Sequence, residues 1–196
     1  MGRPAKLERD QILKRAMTIF WRKGCDEVTT RDLEQALGLR APSIYRRFHS
    51  KNELFAHCVE FYVDTVLTTR IRTMAEDTDD PMRGLRWFFT SVVDPQGPPR
   101  GCLMTNTATT ADGQLPEVHD ALLRGMHLVS TAFKEQIERA QQKGQVEASL
   151  DPEATSHALR MSLLGLLTVV RAGGPDPRPG IDATLGFLRP PPASSG

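Results

Sequence analysis

No stretch of this chain holds about 18 consecutive apolar residues, so nothing in it reads as a membrane span. Cysteine is scarce: Cys25, Cys58 and Cys102 are odd in number and far apart. That excludes a disulfide framework and fits a reducing cytoplasm. The opening MGRPAKLERD is polar and basic and has no apolar signal-peptide core, so export is not expected. A glycine-rich phosphate loop, a nucleophile elbow and a dinucleotide fingerprint are all missing. His57, His119, His127 and His157 form no pair at ligand spacing backed by carboxylates or cysteines. Neither an enzyme, a metal site nor a cofactor is therefore expected. Strand-like alternation persists nowhere, whereas helical spacing recurs throughout.

What is present is an ordinary globular composition over 196 residues, 39% hydrophobic and 25% charged. The net charge of +1 hides an asymmetry. Residues 1–55 hold 12 Lys and Arg against 7 Asp and Glu, a net +5. The remainder holds 13 against 17, a net −4. A basic quarter on an acidic body suits a module that approaches phosphates with one end.

The spacing predicts an all-α chain of about nine helices. The first covers residues 8–23, with Ile12, Leu13, Ala16, Met17, Ile19 and Phe20 on one face, and stops at Gly24. The second starts at Thr29 or Thr30 and ends at Gly38, and the third runs from Ala41 to Phe48 with Pro42 in its opening turn. Ser50-Lys51-Asn52-Glu53 is a capping box that opens a long fourth helix reaching about Met74. Further helices begin at Pro81, near Gly101, at Pro116 and at Pro152, and a last one spans roughly Ile181 to Leu188. The expected division is a head at residues 1–48, a body at 49–189 and a disordered tail at 190–196.

Residues 29–54, TTRDLEQALGLRAPSIYRRFHSKNEL, pair two short helices across a glycine turn. At about 100° per residue, Ile44 and Phe48 of the third helix point inward, toward Leu33, Leu37 and Leu39. Pro42, Ser43 and Arg46 then face outward, with Tyr45 and Arg47 on the flanks. That is how a helix-turn-helix lays a basic helix in the major groove. Arg46 is expected to read a base, for which guanine offers two acceptors. Tyr45, Arg47, Thr30, Arg31 and Lys51 are expected to hold phosphates. Gly2-Arg3-Pro4 offers Arg3 as an arm for the minor groove, or else a disordered end.

The head resembles the N-terminal domain of TetR-type transcriptional regulators. The resemblance rests on Phe20 to Gly24, Thr29-Thr30, Gly38-Leu39, Ser43-Ile44-Tyr45 with Phe48, and Ser50-Lys51 with Leu54. It covers about 50 residues. It implies a homodimer with two heads in successive major grooves of a palindromic operator. Glu34 departs from the family's usual alanine, and is expected to swing outward or to pair with Arg31 or Arg47.

In the body, MSLLGLLTVV is apolar on almost every side, so its helix must be covered on both faces. Ala158, Ser162 and Gly165 would permit close helix approach. Leu159, Ser162, Leu163, Leu166 and Val170 are assigned to a twofold interface, completed by Ile181, Leu185 and Leu188. The resemblance points to the same pair of helices, and implies a small effector between the central helices of the body. Candidate lining residues are Trp87, Phe88, Met104, Met126, Phe133, Met161 and Leu164, with Asn106, His127, Ser130 and Thr168 as polar handles. Cys102, beside Arg100 at the start of a short helix, adds an alternative in which a thiol is the sensor. A further alternative, from another class, is a helical binding protein or enzyme that reads no DNA.

Overall fold

The computed structural model describes residues 8–76, 79–93 and 101–190. Arg3, Arg100 and the tail segment 191–196 lie outside them. Every regular element among the described residues is helical.

Three short helices build the head. α1 (Arg9–Lys23) starts with a capping box between Glu8 and Gln11 and buries Ile12, Leu13, Ala16, Met17, Phe20 and Trp21. α2 (Thr30–Leu37) is capped by Thr29, which accepts from the Asp32 N–H while Asp32 accepts from the Thr29 N–H. Gly38 ends α2 in the left-handed region at φ 63°. α3 (Ala41–Phe48) follows at once and buries Ile44 and Phe48. Both insert into a core completed by Leu33, Leu37 and Leu54.

α4 connects head to body. It runs over Lys51–Phe61, passes through a π-helical stretch at Tyr62–Leu67, and continues over Thr68–Glu76. Ser50 caps it by accepting from the Glu53 N–H, which is half of the expected capping box. The π-helical stretch is a departure that the sequence did not announce. There the Thr68 hydroxyl donates to the Val63 carbonyl five residues back, at 2.8 Å. With α4 counted as one element, the described residues hold nine helices and one additional 3-10 turn at Ala111–Gln114.

The body comprises α5 (Pro81–Ser91), α6 (Leu103–Ala108), α7 (Pro116–Gln142), α8 (Pro152–Arg171) and α9 (Arg178–Gly186). α7 packs against α4, α5 and α8, and α9 lies against α5 and α8. Phe133 of α7 holds the centre, edge-on to Phe88 at 5.2 Å and stacked on Phe89 at 5.6 Å. It is core rather than cavity lining, contrary to the expectation.

Candidate nucleic-acid interface and the cavity behind it

α3 presents a basic outer side because its inner side is fixed. Burying Ile44 and Phe48 leaves Pro42 and Arg46 exposed, with Ser43, Tyr45 and Arg47 half-buried between them. The Tyr45 hydroxyl lies 3.0 Å from the Thr30 hydroxyl, so the flank of α3 is tied to the start of α2. Arg31 and Thr30 are exposed beside it, and so is Arg40 at the N-cap of α3, which the sequence reading passed over.

One expectation for this face needs correction. Glu34 does not swing outward; its Oε1 accepts from the Ala41 N–H at 2.8 Å. Arg40 supplies no side-chain cap for α3, and the Glu34 carboxylate takes that place. Lys51, expected on a phosphate, donates to the Val28 carbonyl at 3.1 Å and to that of Asp26 at 3.4 Å. It braces the loop between α1 and α2.

The same loop is held from two other sides. Lys23 Nζ sits 2.8 Å from Asp32 Oδ1. The Lys23 hydrogen bond, joined by those from the Thr29 N–H and hydroxyl, holds the Asp32 carboxyl well below the usual carboxylate range. From the body, Asp112 of the 3-10 turn reaches in: its Oδ2 accepts from the Cys25 N–H at 2.7 Å and its Oδ1 from the Asp26 N–H at 3.2 Å. Asp112 is buried, and Gly24 makes room for it. At φ 84°, a Cβ on Gly24 would stand 3.0 Å from Asp112 Oδ2.

Behind this joint the body holds a partly open cavity of about 70 Å³. Its wall takes Tyr62, Leu67 and Arg70 from α4, Phe88 and Val92 from the α5 region, and Cys102, Met104 and Thr105 at α6. Met126 and Val129 of α7 and Arg160, Leu163, Leu164 and Leu167 of α8 complete it. Of the expected lining, Phe88, Cys102, Met104, Met126 and Leu164 are brought together here. The others are not. Trp87 is on the outer side of α5 at 38% exposure, and Met161 is 66% exposed on the outside of α8. Asn106 faces a separate groove beside Gly24 and Trp21. His127 and Thr168 are exposed, the latter donating to the Leu164 carbonyl, and Ser130 is half-buried away from the cavity.

Tyr62 is fully buried, and its hydroxyl lies 3.2 Å from Cys102 Sγ and 3.4 Å from Arg70 Nη1. Burial pushes the Tyr62 phenol well above its ordinary value, so it is a neutral hydrogen-bonding group. All three cysteines are free thiols and buried. Burial also pushes the Cys25 thiol up to about 12, and the Cys58 thiol well above its ordinary value.

The interface assignment also changes. Leu159, Leu163, Ile181, Leu185 and Leu188 are buried within their own chain, and Leu166 and Val170 are half-buried. With both sides of α8 apolar, the inner stripe is Leu159, Leu163 and Leu167. The outer one carries Met161, Leu164 and Val169, with Ser162 and Gly165 exposed among them, while Phe187 after α9 is 84% exposed. No helix is long and apolar enough to cross a membrane, and no cluster of potential metal ligands occurs, among the described residues.

Comparison with known proteins supports the family and the fold. Residues 12–58 match the family model of bacterial regulatory proteins of the tetR family, and residues 82–179 that of the tetracyclin repressor-like C-terminal domain. The chain is 23% identical over 175 residues to the HTH-type transcriptional repressor ComR of Escherichia coli, covering 88% of this chain and 83% of ComR. It is 36% identical over 64 residues to the repressor BdcR of the same species, covering 33% of this chain and 32% of BdcR. Among solved structures, a cysteine mutant of the regulator CifR complexed with 26-bp double-strand operator DNA superposes with a TM-score of 0.77 at 26% identity. That match covers 95% of this chain and 97% of CifR. Reduced NemR of E. coli superposes with a TM-score of 0.79 at 14% identity, covering 93% of this chain and 97% of NemR, and shows the shared fold.

Proposed function

The chain belongs to the TetR family of bacterial regulatory proteins and is a DNA-binding transcriptional regulator; from that premise we propose that it is a homodimeric repressor of a palindromic operator, released when a small molecule fills the body cavity. The observation that carries the proposal is α3. Its buried residues fix its rotation so that Arg46 stands exposed on the outer side, with Tyr45 anchored to Thr30 beside it. The match to CifR, solved in complex with operator DNA, supports a DNA-binding role for the head. The protein works in the cytoplasm as a binder of DNA and has no catalytic role. Its proposed DNA contacts are Arg46 to a base, with Thr30, Arg31, Pro42, Ser43, Tyr45 and Arg47 positioning the backbone.

Release follows as a shift of population between dimers whose heads fit successive major grooves and dimers whose heads do not. Asp112 supports a route for it. The cavity wall includes α6, and the turn after α6 carries the carboxylate that grips the α1–α2 loop. A thiol input at Cys102 has less behind it, because Cys25 and Cys58 are buried and bonded elsewhere, to Asn52 and to the Leu13 carbonyl.

Selection of bound duplexes from a random pool, with purified protein at moderate salt, tests the proposal. The expected result is a single palindrome whose half-sites are about one helical turn apart. Enrichment of single, unpaired half-sites would overturn the dimer, and no enrichment would overturn the repressor.

A further inference from the structure

The cavity is mainly apolar, yet two arginines stand in its wall, and among the described residues no carboxylate does. Arg70 comes from the last part of α4 and Arg160 from α8. Arg70 Nη1 donates to the Tyr62 hydroxyl, at 3.4 Å. Arg160 Nε is buried and without a hydrogen-bond partner among the described residues. A buried cationic donor left unmatched is costly, and a matching acceptor would recover that cost. An arginine fork fits a carboxylate, since planar N–H donors meet two coplanar oxygens. The volume limits the rest of the ligand. At roughly 10–15 Å³ per water-sized body, 70 Å³ admits about five or six heavy atoms. Leu67, Phe88, Met104 and Leu163 would line an aliphatic tail rather than a polar one.

We infer that the effector is a small organic acid, a monocarboxylate with a short aliphatic body, held by Arg160 and Arg70 with Tyr62 as a neutral donor. This rests on the proposed effector role of the cavity and supplies its ligand class. A cation or a neutral solvent molecule would leave the guanidinium groups unmatched. A polyanion would leave charge that the apolar wall cannot solvate.

Calorimetric titration of the full-length protein with butyrate and with butan-1-ol, at matched ionic strength and neutral pH, tests the inference. Butyrate is expected to bind at least about tenfold tighter than the alcohol, as a charge-assisted pair provides. Arg160→Gln and, independently, Arg70→Gln are expected to reduce that ratio to about one. Arg160→Lys, which keeps the charge, is expected to retain part of it. Equal binding of acid and alcohol by the parent, absence of butyrate binding, or a ratio unchanged in both glutamine variants would overturn the inference. Operator binding is measured in parallel on ligand-free protein. Parent protein that binds its operator but does not favour butyrate overturns the ligand class alone. Parent protein that favours butyrate but binds no duplex overturns the repressor instead.

Discussion

A single carboxylate sets how the recognition helix begins. Pro42 carries no N–H and the Ser43 N–H donates to the Arg40 carbonyl, so the Ala41 N–H is the first-turn donor that needs an outside acceptor, and Glu34 Oε1 supplies it. Glu34→Ala is expected to lower stability by about 1 kcal/mol, as loss of an N-terminal cap does. In a chain of this size that corresponds to a fall of about 2–4 °C in melting temperature. An unchanged melt would show that water replaces the carboxylate without cost. Arg46 has a different function: it is exposed and bears no structural load visible in the head. Arg46→Ala is expected to leave the melt unchanged and to cost about 1–3 kcal/mol of discrimination at one position of the half-site. A panel of single-base operator variants reads this directly; uniform weakening across the panel would reassign Arg46 to a phosphate. The outward placement of Arg46 was legible in the sequence because a 3.6-residue period leaves no alternative once Ile44 and Phe48 are buried. The role of Glu34 was not, since it depends on how closely the start of α3 approaches α2. The same gap hid Arg70 and Arg160, because arginines on helices ordinarily belong to solvated faces.

Between elements, the loop from Gly24 to Thr29 is the joint that matters. It is short and carries little apolar surface beyond Cys25 and Val28, so polar contacts fix it. Lys51 holds it from α4, the Lys23–Asp32 pair spans it, and Asp112 grips it from the body. Asp112→Ala would strand two N–H donors at Cys25 and Asp26. The expected cost is about 2 kcal/mol, with a larger effect on local motion than on global unfolding. Hydrogen exchange at those two amides should quicken severalfold while exchange in the α7 core changes only with global stability. Uniform quickening throughout the chain would show Asp112 to be ordinary core support rather than a joint. Nothing in the local sequence ADGQ marks this role, since its partners lie 86 and 87 residues away. The π-helical stretch of α4 was hidden for a similar reason. Tyr62, Val63 and Leu67 follow a helical pattern, and only their packing shows where the extra residue is absorbed.

At the scale of the whole molecule, the unpartnered surface decides the assembly. α8 carries two apolar stripes, and periodicity cannot say which of them meets its own body. The inner stripe is Leu159, Leu163 and Leu167; the outer stripe, with Met161, Leu164 and Val169, joins Phe187 as exposed large apolar surface. A Cβ on Gly165 would stand in open space, so the backbone between those side chains is open to close approach. Such a patch marks a contact with another molecule, and on two adjacent helices it suits an isologous four-helix arrangement with a second copy. Substitution can separate the two stripes. Phe187→Asp combined with Met161→Asp is expected to give a folded monomer in sedimentation, with the parent melt shape and helical content. Two-headed binding to a palindrome should then be lost, leaving weak attachment to single half-sites. Leu163→Ala, on the inner stripe, is expected instead to lower stability by about 2–5 kcal/mol through the cavity it leaves. Its effect on dimerisation should follow only from the unfolded fraction. If the double aspartate variant sediments as a dimer, the outer stripe of α8 is not the interface, and the two heads must be joined through another face of the body.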